Sequence, residues 1–220
     1  MLEQNKLEYL FGIGGAGMKI LFVCTGNTCR SPMAEALLKA ASPDVEVQSA
    51  GVYAGNGEQA NRNAILSLEN RGIDLDHQSQ QINKRLLNWA DLVLTMTTQH
   101  KQLLIVKFPN FQNKYFTLKE YVSEADKKIW DELKVLYANY EEKRSLFIQA
   151  NQHKLDNVIL DQQLAAHLRE EVEQIRQLEG NLINYDITDP FGGDLQVYEA
   201  ALGEIADQID LLAEKLQQNT

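Results

Sequence analysis

Apolar residues fall along this chain in two rhythms. Short, nearly continuous apolar runs at Lys19–Cys24, Val45–Ala50, Ala90–Met96 and Lys114–Leu118 read as buried strands. Between them, apolar residues recur every three or four positions, which predicts helices over 31–41, about 57–71 and 98–107. Pro32 suits the first turn of the first helix, and Gly72 ends the second. A final helix carries Val197, Ala201, Ile205, Ile209 and Leu212 on one face. Strands that alternate with helices predict an α/β fold: a doubly wound, four-stranded parallel sheet flanked by helices.

Residues from about 120 to 181 break the alternation. They hold no proline and one glycine, Gly180, at the end. Ile129, Leu133, Leu136, Tyr140 and Phe147 keep helical spacing, and so do Leu155, Val158, Ile159, Ala165, Leu168, Val172 and Ile175. The pattern predicts an inserted helical hairpin, charged on its outer faces. It is either a solvated appendage or an arm for protein–protein contact or dimerisation. At the other end, residues 1–17 close on Gly12-Ile13-Gly14-Gly15-Ala16-Gly17. These glycines precede a strand, whereas a dinucleotide fingerprint follows one. The expectation is a flexible N-terminal extension, with Met18 as a second candidate start, followed by one domain over 18–220 that contains the insert.

Composition narrows the function. The formal net charge of the 220 residues is −10, which argues against a general nucleic-acid binder. No run of 18 apolar residues is present, and MLEQNKLEYL lacks the basic and apolar regions of a signal peptide, so no membrane contact and a cytoplasmic location are expected. Two cysteines exclude a disulfide framework, and the four histidines, His77, His100, His153 and His167, show no metal-ligand spacing and read as surface or helix-face residues. Neither a metal nor a cofactor is expected.

The two cysteines lie together in Cys24-Thr25-Gly26-Asn27-Thr28-Cys29-Arg30-Ser31, between a predicted strand and a predicted helix. A nucleophilic cysteine works as thiolate, and a free thiol has a pKa of about 8.5. Three features of the loop stabilise the anion: backbone N–H groups curled into a nest with the help of Gly26 and Asn27, the positive end of the helix, and the Ser31 hydroxyl. The same cradle, spanning Thr25, Gly26, Asn27, Thr28, Cys29 and Arg30, binds a phosphoryl group, and the Arg30 fork holds two of its oxygens. The loop therefore wraps one tetrahedral oxyanion with the Cys24 sulfur beneath phosphorus, the arrangement of a cysteine-dependent phosphatase. Cys29 lies close enough in sequence to trap an oxidised Cys24 as a disulfide.

With its flanks, VCTGNTCRSPMAEA resembles the signature of the low-molecular-weight protein-tyrosine phosphatases. Ser49-Ala50-Gly51, Ala90-Asp91-Leu92-Val93-Leu94 and Asp189-Pro190 extend the resemblance over residues 18–122 and 186–215. It implies that Cys24 attacks phosphorus and forms a phosphocysteine, that Arg30 binds the phosphoryl oxygens, and that Asp189 protonates the leaving group and then activates water. It also implies that Asn27 braces the loop, Ser31 lowers the thiol pKa and Phe191 lines the pocket mouth. Thr28 and Asp189-Pro190-Phe191-Gly192-Gly193 are similar to the bacterial protein-arginine-phosphatase branch, where tyrosine-specific members have a larger aliphatic residue at the Thr28 position and aromatic pairs after the proline.

The substrate expected is therefore protein phosphoarginine, with phosphotyrosine the alternative. The Thr28 hydroxyl can engage a guanidinium or an attacking water, and acids such as Asp194 can recognise the guanidinium charge. Arsenate reductases of this fold need further cysteines, and none follows Cys29. A non-catalytic phosphate-binding scaffold is disfavoured by the joint presence of Cys24, Arg30 and Asp189.

Overall fold

The structure, a computed structural model, describes residues 17–123, 127–152, 156–181 and 184–218. The expected N-terminal extension lies, apart from Gly17, outside the described residues. Among the described residues no helix is long and apolar enough to cross a membrane. The chain divides into two compact units, residues 1–122 with 185–220 and residues 123–184.

The first unit is built on four parallel strands, β1 (Lys19–Cys24), β2 (Glu46–Gly51), β3 (Leu92–Thr95) and β4 (Tyr115–Thr117), in the order β2-β1-β3-β4. Helices α1 (Arg30–Ala41), α2 (Arg62–Glu69), α3 (Lys84–Trp89) and α4 (Thr98–Lys107) connect them, and α5 (Leu118–Val122) follows β4. A long helix from Leu195 to Gln218, α9 in chain order, closes the unit. The expected second helix is shorter than the periodicity suggests, because the Asn61 side chain accepts from Asn63 N–H and starts the helix there. Helix α3 was not anticipated: its six residues are too few to show a period.

Alternation along β1 feeds two cores. Ile20, Phe22 and Cys24 pack with Met33, Leu38, Leu202, Ile205 and Ile209 on the α1/α9 side. Leu21 and Val23 pack with Leu86, Leu87, Val93 and Leu104 on the opposite side. The nucleophile candidate thus points into the layer that holds α1 and α9. After β1 the chain runs outward to β2, then returns past β1 to β3, so the direction of winding changes between β1 and β3. Their carboxyl ends form the crevice where ligands bind in open α/β sheets.

Among its described residues the second unit contains three helices where a two-helix hairpin is expected: α6 (Lys127–Asn151), α7 (Asn157–His167) and α8 (Arg169–Gly180). Leu168, at φ −97° and ψ 3°, interrupts the second half of the insert, and its side chain is buried. The interruption lets Phe147 stack on His167, with ring centroids 4.8 Å apart, while α8 packs against α6.

Candidate active site

Cys24 ends β1, and the chain turns through a short loop into α1. Asn27 takes a left-handed conformation, with φ of 56°, which its short polar side chain tolerates. That turn aims Asn27 N–H at Cys24 Sγ, 3.3 Å away. Ser31 Oγ lies 3.0 Å from the same sulfur. Asn27 Nδ2 donates to Ser31 Oγ at 3.0 Å, and the Ser31 hydroxyl proton has two acceptors within reach, the sulfur at 3.0 Å and the Ala50 carbonyl at 3.4 Å; a thiolate is the nearer and the charged one. Helix α1 has no side-chain N-cap, so its positive end is presented to the loop. These donors together stabilise a thiolate.

Asn27 is fully buried, and its polar groups reach four parts of the unit. Besides Ser31, Nδ2 donates to Ser49 Oγ at 2.8 Å, and Ser49 in turn donates to Glu35. Asn27 Oδ1 accepts from Gln80 N–H at 2.9 Å, and its carbonyl accepts from His77 Nε2 at 2.8 Å. Gly51 explains the Ser49-Ala50-Gly51 motif: a Cβ there would meet the Thr25 carbonyl oxygen at 2.5 Å and Asn27 N at 2.9 Å.

Arg30 is buried, with 5% of its side chain exposed. Its Nη2 donates to Asp189 Oδ2 at 2.7 Å and Nη1 to the Ile187 carbonyl at 3.2 Å. Its buried Nε has no protein partner, and a buried donor of this kind is satisfied by an oxyanion ligand. The loop with Asp189 is anchored by Ile187 N–H on the Met96 carbonyl and by Thr188 N–H on Glu204. Asp189 Oδ1 accepts from Phe191 N–H at 3.2 Å, while the Phe191 side chain is exposed. Cys24, Arg30 and Asp189, 159 residues apart at the extremes of the last pair, are thereby gathered at one loop.

Thr28 is half-buried, with Oγ1 3.7 Å from Cys29 Sγ. Cys29 Sγ is 3.2 Å from the Tyr198 hydroxyl on α9, and burial pushes its thiol pKa up. Both cysteines are free thiols.

Three side chains at the site escaped the sequence reading. His100 is buried, not on a surface or free helix face: Nε2 is 2.8 Å from Thr25 Oγ1 and Nδ1 is 2.8 Å from Thr97 Oγ1. Burial first, and then the Arg30 charge, lower its pKa to about 4. His77 holds the Asn27 carbonyl, and Tyr198 holds Cys29. The available signal for His100 was its place just beyond β3, at the crevice; His77 and Tyr198 carry none, since only folding brings them to the loop. Asp194, expected to face a guanidinium, accepts from Val197 N–H at 3.1 Å through Oδ1 at the start of α9.

A profile described as "Low molecular weight phosphotyrosine protein phosphatase" matches residues 19–150. A protein-arginine-phosphatase of Geobacillus stearothermophilus is 38% identical over 200 residues, 90% of this chain and 96% of that protein. The low molecular weight protein-tyrosine-phosphatase PtpB of Staphylococcus aureus is 41% identical over 135 residues, 60% of this chain and 96% of that protein. Among solved structures, a cysteine-to-serine mutant of the YwlE arginine phosphatase, with a phosphorylated active-site serine, aligns with a TM-score of 0.63 and 32% identity. It covers 91% of this chain and 97% of that one.

Proposed function

This chain belongs to the low molecular weight phosphotyrosine protein phosphatase family, and from that membership we propose that it hydrolyses phosphoarginine on proteins through a phosphocysteine at Cys24. The protein is a cysteine-dependent protein phosphatase; the substrate and the residue roles are our reading. Thr28 carries the choice of substrate: a polar side chain stands inside the phosphate loop where a tyrosine-specific pocket favours an aliphatic one. The name of the Geobacillus relative supports the same choice. The PtpB relative and the exposed Phe191 ring, which suits stacking on a phenol, favour phosphotyrosine as the second reading.

The substrate phosphoryl group takes the loop N–H groups and the Arg30 fork. Arg30 then releases Asp189, which frees that carboxyl group to carry the proton the leaving group needs. Cys24 thiolate attacks phosphorus; the P–N bond breaks, its electron pair stays on nitrogen, and Asp189 delivers a proton there. Water then attacks the phosphocysteine, Asp189 accepts the proton, and the S–P bond breaks to restore the thiolate and release phosphate. A guanidine nitrogen leaves poorly without a proton, so the acid matters more here than with a phenol.

The test is kinetic. The kcat/KM of the wild type is expected to favour phosphoarginine protein over phosphotyrosine protein, and Thr28→Ile to reverse the order. A wild type that prefers phosphotyrosine overturns the substrate assignment. Asp189→Asn is expected to lower turnover about 100-fold on phosphoarginine and less on an aryl phosphate.

The second unit exposes Val135, Leu146, Val158 and Val172, and we assign it contact with a protein partner or a second copy of the chain. Two buried free thiols suit a reducing, cytoplasmic location.

A further inference from the structure

His100 takes no part in the cradle or the proton transfer, and Thr25 enters the cradle through its backbone, which leaves its side chain without a role there; both side chains are nevertheless held in place. Thr25 follows the nucleophile directly and is exposed. Its carbonyl accepts from Tyr53 N–H at 3.0 Å, and its hydroxyl meets His100 Nε2 at 2.8 Å, so both ends of the residue are fastened. His100 is fastened in turn: Thr97 Oγ1 accepts its backbone N–H at 3.2 Å, as an N-cap does, and lies 2.8 Å from its Nδ1. The ring stays neutral at working pH because it is buried and feels the Arg30 charge. A neutral imidazole has one donor and one acceptor nitrogen.

Thr97 Oγ1 has two lone pairs. When both accept, from His100 N–H and from Nδ1–H, Nε2 is left as an acceptor for the Thr25 hydroxyl proton. The Thr25 oxygen then keeps its lone pairs for an incoming donor, on an exposed residue that directly follows Cys24. A guanidinium brings several N–H donors there and no acceptor, whereas a phenyl ring brings neither. Of the carboxylates near the site, Asp189 serves proton transfer, Asp194 Oδ1 caps α9 and Asp186 Oδ1 accepts from Thr98, whereas Thr25 directly follows the nucleophile.

We propose that Thr25, positioned by the Thr97–His100 relay, is a specificity-determining residue that accepts a hydrogen bond from the guanidinium of phosphoarginine. This rests on the phosphoarginine reading above. Thr25 touches substrate, whereas His100 acts through Thr25 and is a positioning residue. Thr28 lies inside the loop next to Cys29, so the two threonines act at different places.

The experiment measures kcat/KM of the full chain on one protein carrying phosphoarginine and on one carrying phosphotyrosine. Thr25→Val removes the hydroxyl at nearly constant shape and is expected to lower the phosphoarginine-to-phosphotyrosine ratio about tenfold. Thr25→Ser is expected to restore the ratio, and His100→Leu to lower it by a smaller factor. Equal loss on both substrates in Thr25→Val would show a structural residue only and overturn the proposal. A wild type that favours phosphotyrosine would instead overturn the substrate reading, and the proposal with it. A measurement independent of any variant's folding is the 15N spectrum of histidine-labelled wild type. Protonation on Nδ1 is expected; protonation of His100 on Nε2 would leave the Thr25 hydroxyl donating outward and overturn the proposal.

Discussion

The phosphate loop and the inserted helices use polar side chains in opposite ways. In the loop, Asn27 is fully buried, and its amide and carbonyl groups bind Ser31 within the loop and Ser49, Gln80 and His77 from distant parts of the sequence. In the insert, pairs such as Lys134–Asp131 and Arg144–Glu141 are local in sequence and exposed, at 3.4 Å each. A buried polar group left without its partner costs about 1–3 kcal/mol, whereas an exposed ion pair contributes about 0–1 kcal/mol. Polar substitutions are therefore costly in the loop and tolerated on the insert, although the insert holds the longer helices. The exception within the insert is Glu171, a buried carboxylate that accepts from Lys143.

The largest effect is expected at the nucleophile. Cys24→Ser is expected to lower turnover of either phosphoprotein by about 10,000-fold or more, because an alcohol replaces the thiolate. Activity within tenfold of wild type in a stopped assay would remove the phosphocysteine from the mechanism.

Asn27→Ala removes the buried hydrogen bonds and places alanine at φ of 56°. The expected cost is about 3 kcal/mol, or about 10 °C in Tm by calorimetry. A change below 2 °C would mean that the loop is no more demanding than the insert.

The pH dependence sharpens the same contrast. His100 binds its proton only near pH 4 in the folded chain, against 6.5 ordinarily, because of burial and then of Arg30. Between these values the unfolded chain binds the proton and the folded chain does not. The stability linked to His100 is therefore complete above pH 6.5 and is lost as pH falls toward 4. Urea unfolding at pH 7 and pH 4.5 is expected to show about 2 kcal/mol more loss in wild type than in His100→Gln. Identical losses would place His100 in water.

The smallest effect is expected from the insert. Lys119 Nζ donates to the Asp186 carbonyl at 2.9 Å, so the residues that flank the insert in the first unit are near one another. Replacing residues 123–184 by a short glycine-serine link is expected to keep turnover of a small aryl phosphate within about threefold, since no group of the loop lies in the second unit. A larger loss would show that the insert supports the chemistry.

Much of this molecule was open to reading from the chain alone. The four apolar runs became β1 to β4, because a strand covered on both faces has an unmistakable composition. That Cys24, Arg30 and Ser31 share one loop was legible because they are neighbours in the chain, whereas Asp189 was pointed to only by the family resemblance; folding places it on Arg30. Helix α3 and the interruption at Leu168 were not, since six residues show no period and a single bridge-region residue leaves the helical spacing intact.

What the tertiary structure alone decided is which distant groups, side chain or backbone, complete the loop. His77, Gln80, His100 and Tyr198 lie 50 to 169 residues from their partners and follow no periodic rule. A buried polar atom takes whichever partner the packing of other elements brings within 3 Å or so, and that geometry exists only once the sheet and α9 have assembled. The same packing made His100, expected on a surface or helix face, the buried neutral ring beside Thr25, and set Asp194 at the start of α9.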